Sequence, residues 1–127
     1  MSKIPEELKY TKTHEWVKID GEIATIGITD HAQHELSDVV FLELPNKGRQ
    51  VNAGEACAVV ESHKTASDVY SPLSGEVVDS NLELLNDLSL INTDPYGKGW
   101  FFKLKISNHK EIENLLSAKD YKKIING

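Results

Sequence analysis

The 127-residue chain carries 14 Lys and Arg against 20 Asp and Glu, a formal net charge of −6, with 39% hydrophobic and 27% charged residues. Those values fit about one globular domain with one core and argue against a disordered chain. The acidic balance also argues against a nucleic-acid partner or an acidic membrane surface, both of which need clustered basic side chains.

The opening MSKIPEELKY has no apolar signal-type run, and no segment approaches the ~18 apolar residues needed to span a bilayer. HEWVKIDGEIATIGI alternates strand-forming residues around Asp20-Gly21, which predicts a β-hairpin with a type I′ turn. In TDHAQHEL, Thr29 or Asp30 can cap a short helix over 30–36, and DVVFLELP returns to strand composition until Pro45 stops it. Gly48 and Gly54 mark turns. Cys57, the single cysteine, lies in the apolar context EACAVV, where a small buried hydrophobe on a strand is expected.

AVVESHKTASDVYSP, from Ala58 to Pro72, places Ser62, His63, Lys64, Thr65 and Ser67 between apolar runs, which predicts a second hairpin with Lys64 near its tip. SPLSGEVVDSN adds a tight turn and a strand, with Gly75 as the flexible position. A short helix or helical turn is expected from Leu82 to Asp87, then a loop, the PYGKG turn and the strand WFFKLKI. In the closing segment Ile112, Leu115, Leu116 and Tyr121 gather on one helical face, predicting one or two amphipathic helices over about 109–125. One domain over 1–127 is expected, with its core over about 8–107.

Most lysines at turns are simply solvated. Lys64 differs in its setting, because an enzyme that acylates a lysine needs the amine accessible and fixed, as a tight hairpin tip provides. VVESHKTASDVYSPLSGEVV resembles the lipoyl-lysine segment of the glycine cleavage system H-protein family. YTKTHEWV, ATIGITDHAQ, DVVFLELP, GEVVDSN and DPYGKGW resemble that family in order and spacing, and LLSAKDY is similar to its C-terminal helix.

The resemblance implies a mainly β barrel-sandwich hybrid of two antiparallel sheets with a lysine-bearing hairpin. Lipoate would be amide-linked to Lys64, and Glu61 would help the attaching enzyme, a lipoate ligase or a lipoyl/octanoyl transferase, to recognise the site. It further implies a non-catalytic carrier that takes an aminomethyl group from a pyridoxal-phosphate glycine decarboxylase to a tetrahydrofolate-dependent aminomethyltransferase. Electrons would then pass to dihydrolipoyl dehydrogenase. Glu15 and Asp68 match acids near the lysine and would shelter the loaded arm, since a nearby carboxylate favours a protonated amine that cannot expel the thiolate. Two positions depart from the family pattern: His63 stands where valine is usual and Ser37 where glycine is common. They lend weight to the alternative of an H-like lipoate donor or regulatory scaffold outside glycine catabolism.

Biotinyl domains usually flank their lysine with methionines, unlike His63 and Thr65 here, and acyltransferase lipoyl domains are shorter and lack HEWV and DPYGKGW. His31 and His34 lie three apart, but no cysteine or third histidine stands at ligand spacing, so no metal site is expected. His14 beside Glu15 reads as a hydrogen-bonded surface pair. No nucleophile elbow or phosphate-cradling glycine loop is present. With Met1 a few residues ahead of the matched region and no transit peptide, a bacterial-type cytoplasm is expected rather than a mitochondrial matrix.

Overall fold

The computed structural model describes residues 3–126. Met1, on which the reading of the chain start rests, lies outside the described residues, as do Ser2 and Gly127. The strands in chain order are β1 (Lys9–Tyr10), β2 (Glu15–Asp20), β3 (Ile23–Ile28), β4 (Val39–Glu43) and β5 (Gln50–Val51). They are followed by β6 (Ala56–Ser62), β7 (Ala66–Tyr70), β8 (Gly75–Ser80) and β9 (Phe102–Ile106). The helices are α1 (Asp30–Leu36), α2 (Ser89–Thr93) and α3 (Ala118–Asn126), with 3-10 turns over Leu82–Leu85 and His109–Asn114.

Six strands form one antiparallel sheet in the order β1-β2-β3-β9-β8-β5, and β4-β6-β7 form a second. Between them lies the main core, built on Ile26, Val60, Val69, Leu73, Val77, Leu84, Phe101, Phe102 and Leu104. A smaller cluster of Leu8, Tyr10, Trp16, Ala118 and Tyr121 fixes α3 against β1, with the rings of Tyr10 and Tyr121 stacked at 4.8 Å. The mainly β, two-sheet expectation holds. Among the described residues no helix is long and apolar enough to cross a membrane.

Several local expectations are corrected. The β2–β3 turn is centred on Gly21 and Glu22, and only Gly21 has positive φ (+62°), which fits type II′ with glycine first rather than type I′. Gly75 is not a flexible turn position. It opens β8 so close to β9 that an added Cβ would lie 2.3 Å from the Lys105 carbonyl oxygen. The expected helical turn ends at Leu85 rather than Asp87, and the loop expected after Asp87 holds the short helix α2. Ile112, Leu115, Leu116 and Tyr121 do not share one helix, because Leu116 leaves helical geometry to pair with Tyr10 through two backbone hydrogen bonds of 2.9 and 2.7 Å.

The expected helix over 30–36 forms as α1, and Thr29 caps it by accepting the Ala32 amide proton at 3.2 Å. At its other end Ser37 takes φ 70°, ψ −154°, a conformation adopted almost solely by glycine. This explains in physical terms why glycine suits that position.

Candidate functional site

β6 and β7 pair from Ala56↔Tyr70 to Glu61↔Ala66, and the Ser62 amide donates to the Thr65 carbonyl at 2.8 Å. His63 and Lys64 are thereby left as the two central residues of a closed turn, both exposed. A ladder this regular holds the lysine backbone in place while its side chain stands free. Glu61, half-buried, faces Phe41 of β4 on one side and Ala66 of β7 on the other.

Beside the tip, a cleft of about 350 Å³ opens between β7, α1 and the start of β2. Its apolar wall is Ile28, Ala32, Leu36, Val60 and Val69, and its polar groups include Glu15, Thr65 and Asp68. Two of the sequence-derived acids thus share a cleft with the residue next to Lys64, whereas Glu61 does not line it. The shape suits an apolar arm that ends in a cation.

Glu15 is 1% exposed, so it is no ordinary surface acid. The Thr11 and Thr13 hydroxyls each donate to its Oε1 at 2.5 Å, and the Tyr70 amide donates to its Oε2 at 3.2 Å. Burial pushes the Glu15 pKa above the ordinary carboxylate range, and these hydrogen bonds pull it part of the way back. An ammonium arriving in the cleft would relieve that burial cost and be held in turn. Asp68 is exposed on β7 and reaches the same cleft from the other side.

Thr11 and Thr13 were not singled out from the sequence. Their signal is the spacing Thr-x-Thr-x-Glu in YTKTHEWV, where residues 11–14 turn between β1 and β2 and the Thr11 amide donates to the Glu15 carbonyl at 3.0 Å, folding both hydroxyls back onto the carboxylate.

His14 and Glu15 do not form the expected surface pair. The His14 Nδ1 meets the Tyr121 hydroxyl at 2.8 Å, and that hydroxyl meets Thr29 Oγ1 at 2.7 Å, tying α3 to the cleft rim. Burial and the neighbouring His31 lower the His14 pKa, with Glu35 opposing. His31 lies 3.6 Å from Glu35, and no group of three or more potential metal ligands occurs among the described residues. Cys57 is buried, as expected, and burial pushes its thiol up to about 12, away from the thiolate form.

The family model described as Glycine cleavage H-protein matches residues 8–127. The chain belongs to that family. It is 53% identical over 125 residues to the "Glycine cleavage system H protein" of Carboxydothermus hydrogenoformans, covering 98% of this chain and 96% of the relative. The protein of the same name from Acinetobacter baumannii is 55% identical over 117 residues, covering 92% and 94%. A crystal structure of a glycine cleavage system H protein from Mycobacterium marinum superposes with a TM-score of 0.88 at 38% identity, covering 98% of this chain and 100% of that one. H-family proteins share the barrel-sandwich hybrid fold and are non-catalytic lipoyl carriers of glycine cleavage, which is the role of this chain.

Proposed function

We propose that Lys64 carries the lipoyl group, that Glu61 contributes to recognition by the attaching enzyme, and that Glu15 and Asp68 shelter the cargo. The observation that carries this reading is an exposed lysine at a closed hairpin tip whose next residue, Thr65, lines an apolar cleft together with Glu15 and Asp68.

Attachment joins the Lys64 Nζ to the carboxyl carbon of an activated lipoyl donor. The donor loses its activating group and the amine loses protons, so a cationic site becomes a neutral amide. When bound, lipoate supplies a dithiolane that opens to accept the aminomethyl fragment and closes on reoxidation. This chain's residues do the rest. The β6–β7 ladder fixes the root of the arm, the apolar wall of Ile28, Leu36 and Val69 excludes water, and the two carboxylates hold the cargo's amine protonated.

Its partners are then the glycine decarboxylase, the aminomethyltransferase, dihydrolipoyl dehydrogenase and a lipoate ligase or lipoyl/octanoyl transferase. Residues 1–127 act as one carrier domain, and the bacterial relatives favour a bacterial-type cytoplasm.

The test is reconstitution of glycine cleavage with purified partners, using wild type and Lys64→Arg. Loss of all turnover in the variant with an unchanged fold is expected; retained turnover would place the arm elsewhere. A lipoylated wild type that accepts no aminomethyl group would instead favour a lipoate donor or scaffold.

A further inference from the structure

Strand β4 contains an irregularity that the carrier role does not require. Val39 pairs with Ser62 and Phe41 with Glu61, so two steps along β4 answer one step along β6, and Val40 is the extra residue of a bulge. A regular strand alternates its side chains between core and solvent. Here Val39 and Leu42 are buried, while the consecutive Val40 and Phe41 are 43% and 47% exposed.

The register places more on the same outer face. Phe41, Glu61 and Ala66 form one cross-strand row, and Glu43, Val59 and Asp68 form the next. The charged members of these rows are all carboxylates, and Arg49, paired with Glu55, stands beside Glu43, Val59 and Asp68 at one margin, so an apolar centre of Val40, Phe41 and Val59 lies within a mostly acidic rim. Phe41 is one strand and three residues from Lys64, about 5 Å across and about 10 Å along.

We infer that this face is the docking surface for the enzyme that acylates Lys64, an enzyme offering an apolar pocket to Phe41 inside a basic rim. The inference rests on Lys64 as the attachment site. Before attachment the target is an amine on a four-carbon stem, which reaches less far than the distance to Phe41. A catalytic centre must therefore come down over the turn, and its surroundings cover the sheet beside it. Once the arm is in place its reactive sulfurs lie a lipoyl length from the Lys64 amine, toward the cleft of Ile28, Leu36 and Val69 when sheltered, so later partners have no need to cover β4. A central aromatic in a solvent-excluding polar rim is also the arrangement in which single residues dominate binding.

The experiment uses the whole unmodified chain as wild type, Phe41→Gln, Val40→Thr and, as a control, Leu82→Gln, an exposed apolar residue elsewhere. Each is lipoylated by a lipoate ligase with lipoate and ATP. Initial rates are read by intact mass over a range of chain concentrations and at two salt concentrations, with melting curves to verify folding. Phe41→Gln should raise KM about tenfold with little change in kcat, and Val40→Thr should raise it less. Leu82→Gln should match wild type, and added salt should raise the wild-type KM. Phe41→Gln driven to full lipoylation should then accept aminomethyl from the decarboxylase at the wild-type rate.

Equal KM values in all four proteins would overturn the docking surface and leave Lys64 standing. Wild-type attachment kinetics combined with impaired aminomethyl loading would assign the patch to the decarboxylase. Wild type that gains no lipoyl mass at Lys64 would overturn the attachment site and this inference together.

Discussion

Glu15 joins burial to chemistry at the scale of a single residue. Its carboxylate gives up water and takes three hydrogen bonds in return, and its pKa remains raised. The folded state therefore binds this proton more tightly than the unfolded one. The cost of the charged form is present above the folded pKa and is relieved as pH falls through it. Glu15→Gln removes that titration but leaves one acceptor oxygen where the carboxylate accepted from Thr11, Thr13 and Tyr70, so a constant offset in stability is expected. On top of that offset, the melting temperature of variant minus wild type should rise as pH climbs above about 4, the ordinary carboxylate range, because the folded pKa is raised. A flat difference would mean that burial does not perturb this group. His14 titrates in both proteins and cancels. For the loaded arm, Glu15→Gln or Asp68→Asn should speed loss of the aminomethyl cargo about tenfold at neutral pH, the effect of lowering its ammonium pKa by about one unit. The check is formaldehyde or ammonia release after the decarboxylase is removed and before any transferase is added. Equal decay in wild type and both variants would mean that neither acid shelters the cargo.

Among the elements, α1 and β8 show where local sequence meets tertiary demand. The Thr29 cap was legible in TDHAQHEL because it is local chemistry, but the glycine-like backbone of Ser37 was visible only through the family's preference for glycine. Ser37→Gly should stabilise the chain by about 1 kcal/mol in denaturant unfolding, as strain is relieved at φ 70°, ψ −154°. A loss of stability would show that the strain is not there. The flexible turn that SPLSGEVVDSN suggests at Gly75 does not form, because the sequence does not reveal that β9 passes so close. Gly75→Ala should cost about 3 kcal/mol or more, since its Cβ would meet backbone rather than a movable side chain. Gly21→Ala, with open space around it at φ +62°, should cost only about 1 kcal/mol. Similar losses for both would remove the steric argument. The two-residue strands β1 and β5 gave no readable signal, as neither is long enough to show alternation.

For the whole molecule, the hairpins were readable because their pairing is local, whereas the β3–β9 pairing that completes the large sheet joins residues some eighty positions apart. The same limit explains the C-terminal segment, where a helical spacing pattern over Ile112, Leu115, Leu116 and Tyr121 was overridden when Leu116 paired with Tyr10. At the site, the exposed tip at Lys64 followed from hairpin chemistry. Glu15 and Asp68 came from the family resemblance, and the cleft that joins them could not be read before β7 and α1 were placed. Everything proposed for the molecule returns to one covalent bond. The most direct measurement is peptide mass spectrometry of wild-type chain after incubation with a lipoate ligase, lipoate and ATP. One lipoyl mass, localised by fragmentation to Lys64, is the result the account predicts; a lipoyl mass on another lysine, no adduct, or a biotin adduct formed in the parallel reaction with a biotin ligase would contradict it.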